Sequence, residues 1–131
     1  MALPDPLPSR LTDPEAAERL FAALAEEAVE VLAFVFLDAE QRVLGMRQFR
    51  SHAAGMADVP IRAVVGDAIA HDAAGVVMAH NHPRGDPTPS LADREVTRRI
   101  VRALEPLGMR LLDHLVVSRG GSVSFRALGL L

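Results

Sequence analysis

The chain has 131 residues, half of them hydrophobic and 24% charged, a balance that supports one packed domain and excludes a wholly disordered chain. Seventeen Asp and Glu against fourteen Lys and Arg give a net charge of −3, so the overall charge does not supply the electrostatic drive for nucleic-acid binding. Cysteine is absent, which rules out disulfides, thiolate nucleophiles and Cys-ligated zinc or iron–sulfur sites; any metal must be held by His and carboxylate side chains. No apolar run approaches the roughly 18 residues of a membrane span, and Met1–Arg10 lacks the form of a secretory signal. The expected location is the cytoplasm, with no membrane partner.

Residues 1–11 are proline-rich and read as a flexible, extended lead-in; residues 12–131 read as a single domain. Thr12 or Asp13 can cap a first helix from Pro14 to Ala28, with Leu20, Phe21, Leu24 and Ala28 at helical spacing. Val29–Leu37 is rich in β-branched and aromatic residues and nearly continuously apolar, as a strand buried on both faces would be. Asp38-Ala39-Glu40-Gln41 separates it from a second extended run, Arg42–Arg50, which predicts a hairpin. Pro60 opens a second helical pattern, and Gly75 opens a short buried strand, Val76–Ala79, that delivers the chain into His80. After a Gly/Pro-rich loop, a third helix is expected from Ser90 to Leu104, stopped by Pro106-Leu107-Gly108. Two last strands, Arg110–Val117 and Ser122–Phe125, are joined by Gly120-Gly121. Strands and helices alternate, so the expected class is α/β, a mixed sheet flanked by helices.

The chemistry concentrates in His80-Asn81-His82-Pro83-Arg84-Gly85-Asp86-Pro87-Thr88-Pro89-Ser90-Leu91-Ala92-Asp93. Residues two apart on an extended segment point to the same side, so His80 and His82 can present both imidazoles to one point. The loop then reverses the chain and starts a helix at Ser90, from which Asp93 can face back as a third ligand. Two His and one carboxylate leave a fourth position open, the mark of a catalytic rather than a structural zinc site. Ser90 beside it can donate to an oxyanion. Ser90-Leu91-Ala92-Asp93 also reads as a capping box with Asp in place of Glu, and the two roles are compatible. Lone histidines are more often structural than ligands; His52, His71 and His114 are read that way, with His114, beside Asp113, also placed to support a ligand.

The spacing His-x-His, seven residues, Ser-x-x-Asp resembles the zinc motif of the JAMM (JAB1/MPN/Mov34) metalloprotease domain. The longer strings HNHPRGDPTPSLADREVTRRI and LGMRLLDHLVVS are similar to the bacterial RadC-like branch, historically labelled DNA repair proteins. The likeness runs from about Val31 to Leu131; the helix-hairpin-helix segment of full-length RadC-like proteins is not among these residues. The resemblance implies a cytidine-deaminase-like JAB/MPN fold, with His80, His82 and Asp93 as Zn2+ ligands and Ser90 as the transition-state hydroxyl. It further implies hydrolysis of a peptide or isopeptide bond by zinc-bound water. Active members also use a glutamate on an upstream strand as general base. Aligning the second hairpin strand by its Phe49-Arg50 ending puts Met46 near that place, with Gln48 on the same strand face. Glu40 reads as a solvated turn residue, and Glu30 would need a different registration of the sheet. The expected activity is therefore weak, and the competing reading is a non-catalytic zinc-binding accessory module linked to DNA repair. DNA association would use Arg94, Arg98 and Arg102, at i, i+4 and i+8 on the third helix, a stripe that otherwise reads as a solvated face. The sequence leaves a homodimer open.

Overall fold

The computed structural model describes residues 7–50 and 59–131. Its elements are α1 (Pro14–Phe21), β1 (Val31–Leu37), β2 (Val43–Arg50), α2 (Ile61–Ala70), β3 (Gly75–Asn81), α3 (Leu91–Leu104), β4 (Arg110–Ser118) and β5 (Gly121–Ser124). Five strands form one mixed sheet in the order β2-β1-β3-β4-β5. Neighbours are antiparallel except β3 and β4, the parallel pair that α3 connects. A parallel pair needs a long crossover, and α3 supplies it while covering the sheet.

The central strands β1 and β3 are buried along their whole length, as the unbroken apolar run of β1 requires of a strand covered on both sides. Side-chain alternation then divides the core. Leu32, Phe34, Phe36, Val76 and Met78 pack with Val64 and Ala68 of α2 and Val96, Ile100 and Leu104 of α3. Val31, Ala33, Val35, Leu37, Val77 and Ala79 pack with Ala17, Leu20 and Phe21 of α1 and with Leu24 beyond it. The result is three layers, with α1 on one face and α2 and α3 on the other. Among the described residues no helix is long and apolar enough to cross a membrane.

Two sequence expectations shift. The first helix is α-helical only to Phe21 and continues to Glu26 as a tighter 3-10 segment, which buries Leu24 and lets Glu27 turn extended toward β1. The segment expected to be a flexible lead-in is tied down at its end. Ser9 accepts from the Val43 N–H at 2.9 Å, Arg10 bridges Arg42, and Leu11 donates to the Gln41 carbonyl at 3.0 Å with its side chain in the α1-face core. The exposed hairpin edge gives these residues a partner that composition does not reveal. Asp38 fixes the hairpin by accepting from the N–H groups of Glu40 and Arg42, the expected turn.

Phe34 is fully buried and meets Phe49 edge to face. Phe34→Ala is expected to lower the unfolding free energy by about 3–5 kcal/mol. Leu91→Ala, at a side chain 84% exposed, is expected to stay within about 0.5 kcal/mol; urea unfolding of both variants checks the assignment of the core.

Candidate metal centre

His80 continues the Val76–Met78 row, so strand alternation turns it toward α3 rather than α1. Asp93 sits in the first turn of α3, where the expected capping box forms: Ser90 Oγ accepts from the Asp93 N–H at 3.0 Å and Asp93 Oδ2 accepts from the Ser90 N–H at 2.8 Å. The cap holds the carboxylate facing the strand end. His82 lies one residue past β3, and its backbone N–H donates to the Val117 carbonyl at 2.9 Å, extending the pairing with β4. Its ring is aimed by the loop, since Nδ1 lies 2.8 Å from the Asp86 carbonyl. Asp86 is held in turn by the Thr88 N–H and hydroxyl. Ser118 fastens the loop from outside by donating to the Gly85 carbonyl at 3.0 Å. A Cβ on Gly120 would collide with that same carbonyl, so the approach requires glycine there.

The sequence-predicted ligands therefore meet. His80 Nε2 lies 2.9 Å from His82 Nε2 and 3.2 Å from Asp93 Oδ1, and His82 Nε2 lies 3.0 Å from Asp93 Oδ2. His80, His82 and Asp93 form a cluster that could hold a metal ion. The donor set fits one. A carbonyl only accepts, so His82 must donate from Nδ1 to Asp86, and in the neutral imidazole this leaves the Nε2 lone pair directed at the carboxylate and at His80. Acceptors facing one another repel unless a cation or a proton sits between them.

In the metal-free protein that proton is favoured on His82. Its pKa is raised, chiefly by the hydrogen bond to Asp93, with the Asp86 carbonyl and the charges of Asp93 and Glu30 adding against the opposing effect of burial. Burial pushes the Asp93 carboxyl up, but hydrogen bonds from His80 and His82, the His80 charge and the Ser90 N–H outweigh it and hold the group far below the ordinary carboxylate range. His114, fully buried, is pushed well below the ordinary histidine value by desolvation and then by the charge of His80, which keeps it neutral. Its Nε2 lies 2.7 Å from His80 Nδ1, so of the two readings the sequence offers it the structure shows it against a candidate ligand. His71 ends α2 and stacks on Phe36, and His52 lies outside the described residues.

Met46 does not stand where the sequence alignment puts it. It pairs with Val35 and packs against the α1-face core, on the side of the sheet opposite His80. Gln48, in the same alternation, shares that face and is equally removed. An acid that does come near the cluster, from just before β1, is Glu30. The β1–β3 register sets Leu32 opposite His80, and continuing it sets Glu30 opposite His82, whose pKa it helps to raise. Asn81, buried between the two histidines, fixes this segment. Its Oδ1 accepts from the Val31 N–H at 2.7 Å and its Nδ2 donates to the carbonyls of Glu27 and Val29. The sequence signal for Glu30 is its position two residues ahead of the strand residue that pairs with the first ligand, which only a known register reveals. On α3, Arg94 is half-buried and Arg98 pairs with Glu95 at 3.5 Å, while Arg102 is exposed.

A mixed sheet with two imidazoles and a carboxylate at the end of its central parallel pair defines an α/β domain organised around a candidate metal site, consistent with the JAB/MPN fold. Residues 11–130 match the RadC-like JAB domain, and the chain belongs to that family. It is 43% identical over 120 residues to a UPF0758 protein of Xanthomonas axonopodis pv. citri, covering 91% of this chain and 53% of that protein. A UPF0758 protein of Symbiobacterium thermophilum is 42% identical over 114 residues, covering 87% of this chain and 49% of its own length. The chain spans about half the length of the curated relatives it matches.

Because the metal must displace the His82 proton, affinity for a divalent ion is expected to rise with pH through the raised pKa of His82 and to fall by about tenfold per unit below it. In the metal-free protein the sign reverses: a raised histidine pKa stabilises the fold below the unfolded value of about 6.5 and that contribution is lost as pH rises through the folded pKa. Metal titrations and metal-free melts across the same pH series check both slopes.

Proposed function

We propose that this chain is a zinc-dependent hydrolase domain acting on a peptide or isopeptide bond. Supporting this reading above all is the convergence of His80, His82 and Asp93 with Glu30 held beside them by the β1–β3 register. His80 and His82 through Nε2, and Asp93 through its carboxylate, are the ligands. A zinc ion bound there lowers the pKa of water to about 7 and polarises a carbonyl oxygen.

The protein's own groups do the rest. Glu30 accepts the proton of the attacking water and returns it to the leaving amine, a contribution typically worth about 10²- to 10⁴-fold. Ser90 accepts from the Asp93 N–H and keeps its own O–H to donate to the oxyanion that develops on the substrate carbonyl. Capping and catalysis thus use different ends of one hydroxyl. The accessory-module reading drew its support from Met46, which packs on the other face of the sheet, so the absence of a base no longer favours it.

The test is zinc content by plasma emission of the untagged parent and of His80→Ala and Asp93→Ala, followed by cleavage of a panel of peptide and isopeptide substrates. Near-equimolar zinc in the parent, its loss in both variants and zinc-dependent cleavage are expected. Glu30→Gln is expected to keep zinc and slow cleavage by about 10²- to 10⁴-fold. A folded parent that takes up no zinc overturns the proposal, as does a zinc-loaded parent that cleaves no amide in the panel.

A further inference from the structure

Thr97 lies one helical turn after Asp93 on α3, with His114 of β4 against it. The Thr97 hydroxyl donates to the Asp93 carbonyl at 2.7 Å and lies 2.7 Å from His114 Nδ1. His114 Nε2 is 2.7 Å from His80 Nδ1. All three side chains are buried: His80 and His114 have no exposure and Thr97 has 2%. No solvent proton is at hand to complete the chain, so the hydrogen bonds must be assigned among these groups alone.

A hydroxyl has one proton, and a carbonyl can only accept it, so Thr97 spends its donor on Asp93 and must accept from His114. His114 therefore carries its proton on Nδ1, and its Nε2 is a lone pair. That lone pair can be satisfied only if His80 donates from Nδ1. When charged, His80 donates from Nδ1 to His114 and from Nε2 to Asp93; in the neutral form, the one able to take a metal, it keeps the Nδ1 proton and is left with a lone pair on Nε2, the atom that faces His82 and Asp93. The opposite assignment, with Thr97 donating to His114, would run every proton the other way and place a hydrogen on His80 Nε2, blocking it as a ligand.

The geometry points to Thr97 and His114 as positioning residues that set the tautomer of His80 and so make its Nε2 available to a divalent metal. The inference rests on the metal site proposed above and adds the part of the protein that prepares it. The chain begins at the backbone of one ligand, Asp93, and ends on the ring of another, so the helix that carries the carboxylate also fixes the imidazole. Outer partners of this kind typically change metal affinity by about 10- to 100-fold.

The experiment has two arms. In the metal-free parent, long-range 1H–15N spectra are expected to show His114 protonated on Nδ1, whatever the protonation state of His80; a His114 protonated on Nε2 overturns the inference. In the second arm Zn2+ is titrated against a chromophoric chelator in Thr97→Val and Thr97→Ser, with metal-free melts of each. Thr97→Val is expected to lose about 10- to 100-fold in affinity and Thr97→Ser to stay near the parent. Equal affinity in Thr97→Val and the parent, or equal loss in both variants, overturns it. If the parent binds no zinc, the proposed function fails while the 15N arm still decides the tautomer.

Discussion

A carboxylate that is 1% exposed needs donors or a cation beside it, and around Asp93 the rest of the site takes its form. The Ser90 N–H reaches it from its own helix start, and the two imidazoles reach it from the end of β3. One side chain thereby ends a loop, begins a helix and gathers both histidines. Any arrangement of the Pro83–Pro89 loop that failed to deliver α3 with Asp93 facing the sheet would leave a buried charge unpaired, a cost of several kcal/mol. The loop's anchors, Ser118 on the Gly85 carbonyl and the Asp86 carbonyl on His82, have that geometry to maintain.

Much of this was legible in the residues. The apolar continuity of Val29–Leu37 announces a central strand, the two-residue spacing of His80 and His82 announces a shared direction, and Ser90-Leu91-Ala92-Asp93 announces a helix start with a carboxylate one turn in. These are local signals, set by periodicity and capping chemistry. What could not be read was relational. Distance along the strand points to Met46, whereas the deciding variable is which face a residue occupies, and a shift of one residue exchanges the faces. Glu30 is hidden for the same reason: only the pairing of Leu32 with His80 shows that an acid just before β1 comes level with His82. The tie between Leu11 and the hairpin was likewise invisible, because backbone pairing carries no signature in side-chain composition.

The family supplies the general architecture, and the arrangement within this chain adds its own logic. Asn81 stands between His80 and His82 without facing the candidate metal cluster; its amide holds the backbone that presents Glu30. His114 stands behind His80 and stacks on Phe125, which is itself fully buried. The site is thus supported from β1 through Asn81, from β4 through His114 and from α3 through Thr97. Each support is a hydrogen-bonding side chain surrounded by apolar packing, where a partner once lost is not replaced by water.

The strand that carries His114 contains one irregularity. The β3–β4 register shifts between Val76 and Val77, so that Leu111 pairs with Val76 and Asp113 with Val77, leaving Leu112 as an extra residue. Leu111 faces the α2 and α3 side, and three residues later His114 faces it too, which a regular strand would forbid. Leu112 and Asp113 both line the 210 Å³ cavity beside α1. Counted in residues, then, β4 is one longer than its geometry needs, and that surplus decides on which side of the sheet a histidine arrives. Deleting Leu112 alone would restore regular alternation with Leu111 and His114 still on the α2 and α3 side, whereas a regular strand that kept every residue after Leu111 in step would turn the His114 imidazole away from His80 and the Asp113 carboxylate toward it. The way this strand absorbs its extra residue is therefore a coordinate of the candidate metal site, as binding as the identity of any residue in it.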